Sequence, residues 1–229
     1  MPQSQPFTGL ARENLASYVR ERLRRGGGTR PELSLLEDEG HWAVVKDYHA
    51  SGWMVRTFAG PWLMDREEKI YRILAGAPGV PRLLRRLDRH AIVVEHIRGR
   101  SCADYADGEL PAEFFDRLRE VVEGIHSRGV VHCDIKNRGN IVVNDEGEPY
   151  IVDFASAFTD TGSLLRVRRF LFEQFRGDDL RAVMKAKILV AQVGSAEEAH
   201  FAFYRGPAER VVRALRNGAR RVFKLLAGG

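Results

Sequence analysis

Val130 to Phe158, VVHCDIKNRGNIVVNDEGEPYIVDFASAF, is the stretch on which the reading of this chain turns. Two short apolar runs, Ile141 to Val143 and Tyr150 to Val152, flank a turn-rich segment from Asn144 to Pro149. That pattern predicts a β-hairpin with a loop slightly longer than the tightest kind. Asn140 just before the first strand and Asp153 just after the second then meet at the open end, where paired residues lie about 5 Å apart. A carboxylate and an amide oxygen so placed suit one hard cation such as Mg2+, which takes oxygen ligands. Asp134 lies six residues before Asn140, and His132 two before Asp134. A lone carboxylate, a candidate proton acceptor, thus sits beside a candidate metal pair.

The same pieces in the same order, His132-Cys133-Asp134, Asn140 and Asp153-Phe154-Ala155, resemble the active-site core of the protein-kinase-like superfamily. The resemblance implies that Asp134 orients or deprotonates the attacking hydroxyl, while Asn140 and Asp153 hold the Mg2+ that bridges the ATP phosphates. Lys136 stands where serine/threonine kinases place a phosphate-contacting lysine. The sequence departs from the protein-kinase pattern twice. Asn140 follows the Asp by six residues rather than five, which leaves Asn137 as a rival metal ligand, though mid-loop rather than at a strand edge. Ala155 replaces the glycine of D-F-G and implies a stiffer segment, one that does not flip between on and off states.

Upstream, Leu10 to Arg25 has apolar residues at 10, 15, 18, 19 and 23, which predicts a helix. RGGGTRP at 25 to 31 is a breaker, read either as a plain linker or as a loop whose bare backbone approaches nucleotide phosphates. No G-x-G-x-x-G is present. Leu33 to Leu36 and His41 to Tyr48 predict two strands around an acidic turn closed by Gly40. Lys46, late in HWAVVKDY, resembles the strand lysine that meets the α- and β-phosphates in kinases; a solvated strand lysine is the simpler account. Asp65 to Leu74 has helical spacing, and Glu67 shares the inward face of Tyr71 and Leu74. A buried carboxylate needs a partner; Lys46 is the natural one, and Glu68 is the alternative inward acid. The turn at Ala75 to Pro81 stops that helix, and Leu83 to Leu87 and Ala91 to Ile97 supply two more strands. The latter resembles the kinase hinge, which implies adenine contacts from backbone groups near Glu95 to Ile97.

Downstream, Ala112 to Arg128 predicts a helix with Phe114, Phe115, Leu118, Val121, Val122 and Ile125 inward. Leu164 to Phe175 and Asp179 to Val190 read as two further helices, broken at Gly177 with Asp178 as N-cap. No activation loop and no A-P-E follow Phe158. The net charge of +5 is local: from Arg205 onward six Arg and one Lys face one Glu, while the other 204 residues carry 29 basic and 30 acidic side chains. In that last segment Val211, Val212, Leu215, Ala219, Val222, Phe223 and Leu226 form an apolar stripe opposite the basic residues. Such a helix over 207–226 either lies on an anionic membrane or docks on the body. Nucleic acid is not expected, because no stacking aromatics interleave with the basic residues.

With 229 residues and an ordinary apolar fraction, the chain buries a core and is not read as disordered. No apolar run is long enough for a membrane span, and no signal-peptide pattern opens the sequence. Cys102 and Cys133 have no ligand-like spacing. A cytoplasmic setting is the simplest expectation, with peripheral contact at the inner membrane face if the 207–226 helix binds lipid. Lys46, Glu67, the PGVP at 78 to 81, HCDIKNRGN and IVDF together resemble the small bacterial lipopolysaccharide-core (Kdo or heptose) kinases and the RIO-type atypical serine/threonine kinases. The resemblance implies an α+β, two-lobed fold in one kinase-like domain. Residues 26–97 would form a small antiparallel-sheet lobe with one helix, 98–204 a reduced, mostly helical lobe, and 205–229 the basic helix. It also implies ATP and Mg2+ as cofactors and a hydroxyl acceptor, a cell-envelope sugar or glycolipid ahead of a protein. A nucleotide-binding pseudokinase without turnover is the reading from another class.

Overall fold

The computed structural model describes residues 6–160 and 166–203. These divide into two units: 6–72 with Pro81–His96, and Ile73–Val80 with the described residues from Ile97 onward. The first unit thus takes in residues upstream of the span 26–97, and Ile73–Val80 belong with the second.

In the first unit, β1 (Val19–Arg24), β2 (Glu32–Asp38), β3 (His41–Asp47), β4 (Leu83–Asp88) and β5 (Ala91–Glu95) make one antiparallel sheet in the order β1-β2-β3-β5-β4. Side chains alternate between the faces of a strand, so Leu36, Ala43, Val45, Ala91 and Val93 share a buried face, which Phe7 and Leu10 complete. The β2–β3 turn places Glu39 and Gly40 at φ 49° and 82°, the two-residue geometry that matches strand twist. The helix expected over Leu10–Arg25 is confined to α1 (Leu15–Tyr18); Val19–Arg24 instead pair with Leu36–Leu33 of β2. The apolar spacing served both readings, and the backbone ladder offered by β2 outweighed it. Gly26–Gly28 consequently lie in the turn of the β1–β2 hairpin, closed by mutual Gly27–Arg30 hydrogen bonds of 3.1 and 2.9 Å, with Gly28 at φ 52°. The helix α2 (Gly60–Ile73) starts five residues before Asp65, after a π turn at Val55–Ala59, and buries Met64, Glu67, Ile70 and Tyr71.

The second unit contains β6 (Gly99–Ser101), α3 (Ala112–Ser127), β7 (Val130–Val131), β8 (Ile141–Asn144), β9 (Pro149–Ile151), β10 (Phe158–Thr159), α4 (Arg166–Val190) and α5 (Ala196–Phe203). β8 and β9 form the expected hairpin, with β6 on its outer edge, and β10 pairs with β7. Phe114, Phe115, Leu118, Val122 and Ile125 of α3 are buried as the periodicity predicts. Gly79 accepts from the Ile151 amide at 2.8 Å, and a Cβ there would meet Val121 at 2.6 Å and the Pro149 carbonyl at 2.9 Å. Only glycine allows this approach at φ 69°. The break expected at Gly177 does not occur. α4 runs through it, and Asp178 pairs with Arg181 at 2.6 Å rather than capping a helix. A mid-helix glycine costs only about 1 kcal/mol, less than the packing of α4 against α3, β7 and α5 supplies. Both cysteines are buried free thiols, and burial pushes Cys102 upward. The basic segment 207–226 lies outside the described residues.

Candidate active site

In the first unit Lys46, on β3, and Glu67, on α2, meet. The ammonium is 2.9 Å from Oε1 and 2.7 Å from Oε2, and the side chains are 7% and 1% exposed. At this burial neither charge is tolerable alone, so each explains the other. Glu68, the alternative inward acid, turns outward to Arg72 at 2.7 Å and Arg86 at 3.0 Å. Glu95 ends β5 with its carboxylate on Arg82 at 3.0 Å and its amide on the Arg82 carbonyl at 2.8 Å. The next amide, of His96, donates to Trp42 O. Two backbone donors named for adenine are thereby used within the sheet. Ile97, the first residue past the division, is half-buried.

In the second unit the loop from His132 to Asn140 is fixed to the hairpin at both ends. The register Ile141↔Ile151 continues one step outward through Val152 N–H to Asn140 O, 2.9 Å, which sets Asn140 and Asp153 at the same end of the ladder. Asn140 is buried and donates from Nδ2 to the Asp134 carboxylate (3.3 Å) and carbonyl (3.1 Å). Its Oδ1 accepts from Asn137 Nδ2 at 3.2 Å. Asn137 therefore props Asn140, and its own Oδ1 closes the short turn Arg138–Asn140 that absorbs the extra residue of the loop. Lys136 is exposed on this loop. His132, 1% exposed, accepts at Nδ1 from the Asp134 amide (3.3 Å), so its Nε2 carries the proton donated to Val152 O (3.1 Å). One imidazole thus ties the residue before Asp153 to the backbone of Asp134.

Two residues here hold left-handed backbone, Cys133 at φ 66° and Asp153 at φ 63°. Such conformations cost roughly 1–3 kcal/mol for a side chain other than glycine and persist where surroundings impose them. Asp153 is held by the Ala155 amide on its Oδ1 (3.4 Å). Ala155 itself lies in the turn Phe154–Ser156 at ordinary negative φ, so this position has no need of glycine.

Sequence reasoning missed two supports. Asp179, in mid-α4 and 1% exposed, takes the amides of His132 (2.7 Å) and Cys133 (2.9 Å) and His126 Nε2 (3.2 Å). Its only outward signal was an acidic doublet, Asp178-Asp179, in a run of mostly basic and apolar residues. Arg168 donates to Thr159 O at 2.9 and 2.6 Å and to its hydroxyl at 3.3 Å, and lies 5.4 Å from the Phe158 ring. Phe158 also meets Phe175 edge-on at 5.8 Å. Two residues make a weak ladder alone; Arg168 and Phe175 hold β10 against β7, which runs straight into His132.

Among the described residues no three His, Cys, Asp or Glu side chains cluster as a metal cage. Asn140 and Asp153 instead offer one amide and one carboxylate oxygen, a donor set that fits Mg2+ when phosphate oxygens complete its shell.

No known protein-family profile matches the chain. A 42-residue stretch, 17% of the chain, is 45% identical to mitogen-activated protein kinase kinase kinase 17 of Arabidopsis thaliana, covering 11% of that protein. Over 135 residues, 57% of the chain, it is 30% identical to the serine/threonine-protein kinase PKH3 of Eremothecium gossypii, covering 15% of that protein. The chain therefore matches only a small part of either relative. The crystal structure of the Rio2 kinase from Chaetomium thermophilum superposes with a TM-score of 0.60 at 16% identity, over 85% of this chain and 63% of that one. The fold is protein-kinase-like. With it the expected α+β class stands: an antiparallel sheet with one long helix in the first unit, and a mostly helical second unit around the hairpin.

Proposed function

We propose that the chain is an ATP-dependent phosphotransferase that moves the γ-phosphoryl group of ATP to an alcohol. The observation that carries this is the cluster at the open end of the β8–β9 hairpin, where Asn140 hydrogen-bonds Asp134 and its carbonyl takes the amide of Val152, the residue before Asp153. Asp134 accepts or orients the proton of the attacking hydroxyl, and its carboxylate takes a hydrogen bond from Asn140 Nδ2. Mg2+ held by Asp153 and Asn140 would neutralise charge on the phosphates. Lys46, paired with Glu67, is assigned to the α- and β-phosphates, and Lys136 to the transferred group. Ile97 is assigned to adenine. Positioning and electrostatics carry most of the rate in this chemistry.

For the acceptor we favour a lipopolysaccharide-core sugar or another cell-envelope glycolipid, at the cytoplasmic face of the membrane. The sequence lacks the A-P-E of peptide-binding kinases and ends in a basic amphipathic segment, 207–226, suited to anionic lipid. The likeness to a Rio2 kinase favours a second reading, a minimal RIO-like serine/threonine protein kinase. Radiolabelled Mg-ATP offered with core oligosaccharide, with a generic protein substrate and with neither separates the two. Asp134→Asn is expected to lower turnover about 100-fold to 10,000-fold while nucleotide affinity persists. Unchanged turnover in that variant overturns the assignment, and nucleotide binding without turnover in the parent chain identifies a pseudokinase.

A further inference from the structure

Three large aromatic side chains stand in solvent within ten residues of the first unit: Trp53, Phe58 and Trp62, 63%, 68% and 60% exposed. Ordinary α-helical geometry would place Trp53 and Phe58 more than a third of a turn apart. The π turn Val55–Ala59, where the Gly60 amide donates to the carbonyl of Val55 five residues back, narrows that angle and brings Phe58 nearer the side of Trp53. Trp62 follows one α-turn later, then Arg66, whose guanidinium lies 5.5 Å from the Trp62 ring, then exposed Lys69. Gly60 makes this register feasible. A Cβ there would meet the Tyr48 Cβ at 2.9 Å and the Val55 carbonyl at 3.0 Å. The sequence uses a glycine and an uncommon turn to bring together aromatics that stay more than half exposed.

Charge identifies the occupant. Exposed Arg56 sits among the aromatics and Lys69 at the end of the stripe. The acidic neighbours are already engaged: Asp65 with Arg86 at 2.8 Å, Glu68 with Arg72 and Arg86, and Glu67 buried with Lys46. The stripe carries indoles and cations together. Indole rings prefer the level of lipid headgroups, and basic side chains are drawn to anionic lipid. A protein partner would need a pocket for each aromatic anchor; a fluid surface needs none. We infer that the Trp53–Phe58–Trp62 face of α2 and its π turn is a docking surface for an anionic lipid bilayer, separate from the basic segment 207–226.

The test uses the full chain with equimolar phosphatidylglycerol–phosphatidylcholine vesicles and with pure phosphatidylcholine vesicles. The parent chain is expected to co-sediment with the anionic vesicles only, with a blue shift in tryptophan emission, since Trp53 and Trp62 are two of its three tryptophans. Trp53→Ala/Phe58→Ala/Trp62→Ala is expected to lower partitioning roughly tenfold or more, with 207–226 intact and melting temperature and ATP turnover without vesicles unchanged. Arg56→Glu/Lys69→Glu is expected to abolish the preference for anionic vesicles. Parent-like sedimentation of the aromatic variant overturns the inference. So does a parent chain that ignores both vesicles, including one whose self-association in sedimentation velocity disappears with the aromatics. None of these outcomes bears on whether the chain hydrolyses ATP.

Discussion

The first unit answers the buried ammonium of Lys46 with the carboxylate of Glu67, carried on another element, whereas the second holds the loop that starts at His132 by backbone amides converging on one carboxylate. Lys46 and Glu67 touch only through flexible side chains, so their meeting depends on where α2 lies against β3. Asp179 grips the amides of His132 and Cys133 directly, and the backbone leading to Asp134 has little room to move. The former is an adjustable contact and the latter a fixture. Substitutions should therefore fail differently in the two places.

The largest effect is expected at Asp179. Asp179→Ala strands two buried amides and His126 Nε2, each worth about 1–3 kcal/mol when left unsatisfied, so urea unfolding should show a loss of roughly 3–6 kcal/mol. Asp179→Asn keeps one acceptor oxygen and should lose less. Equal losses in both variants would mean that the carboxylate charge, not its acceptor geometry, holds the loop.

Next is the ion pair. Glu67→Ala takes the Glu67 carboxylate from the buried Lys46 ammonium, at a cost of about 3–5 kcal/mol. Lys46→Met/Glu67→Leu removes both charges and should recover most of that stability while ATP affinity falls. A double mutant no more stable than Glu67→Ala would show that packing, not charge balance, set the penalty. In the fixture of the second unit no such rescue is expected, because the donors there are main chain.

A smaller effect is expected at Arg168, which holds β10 without touching the loop residues themselves. Arg168→Ala should speed amide hydrogen exchange at Val130–His132 and lower turnover about tenfold, with little change in the KM for ATP. Arg168→Lys, which keeps the charge but loses the two-pronged grip on Thr159, should fall between. Exchange rates that stay put in both variants would release Arg168 from this role.

The two regions also differ in how far sequence betrays them. The Lys46–Glu67 pair was legible because an acid on an apolar helical stripe demands a base, and Lys46 lies late in an apolar strand. The hairpin was legible from its alternating runs and turn, though its register sets Asn140 opposite Val152, one residue short of Asp153. Asp179 was not legible: its partners are main-chain amides, which every residue possesses, and they lie more than forty positions away. The continuity of α4 was hidden for a related reason, since Gly177 weighs against a helix locally and the packing that overrules it is distant. Val19–Arg24 misled because a strand at the edge of a sheet buries little. Its side chains are half-buried or exposed, so no alternating apolar signature marked it.

The gentlest test concerns a third kind of fastening, in which the chain preceding β1 is pinned to the sheet by Arg12 between Asp47 and Asp88, at 2.6 Å from the latter. Burial opposes the charge on Arg12, but hydrogen bonds to Asp88 and Asp47 overcome it and hold the guanidinium protonated at any accessible pH. Burial likewise works against ionised Asp88; the Arg12 hydrogen bond and the His90 amide outweigh it and bring its pKa below the ordinary carboxylate value. A carboxyl group whose pKa is lower folded than unfolded stabilises fully above the unfolded value, about 3.9, and loses that contribution as pH falls through the folded one. Acidification from pH 5 towards pH 3 should therefore loosen the segment around Phe7 and Leu10, read as faster exchange of its amides, while neutral and mildly alkaline pH leave it unchanged. Asp88→Asn should exchange faster at every pH and lose that acid-dependent component. A parent chain equally protected at pH 3 and pH 7 would place the fastening in the apolar contacts of Phe7 and Leu10 instead, making it a third case alongside the ion pair and the backbone fixture: a surface clamp whose charges only trim what burial already holds.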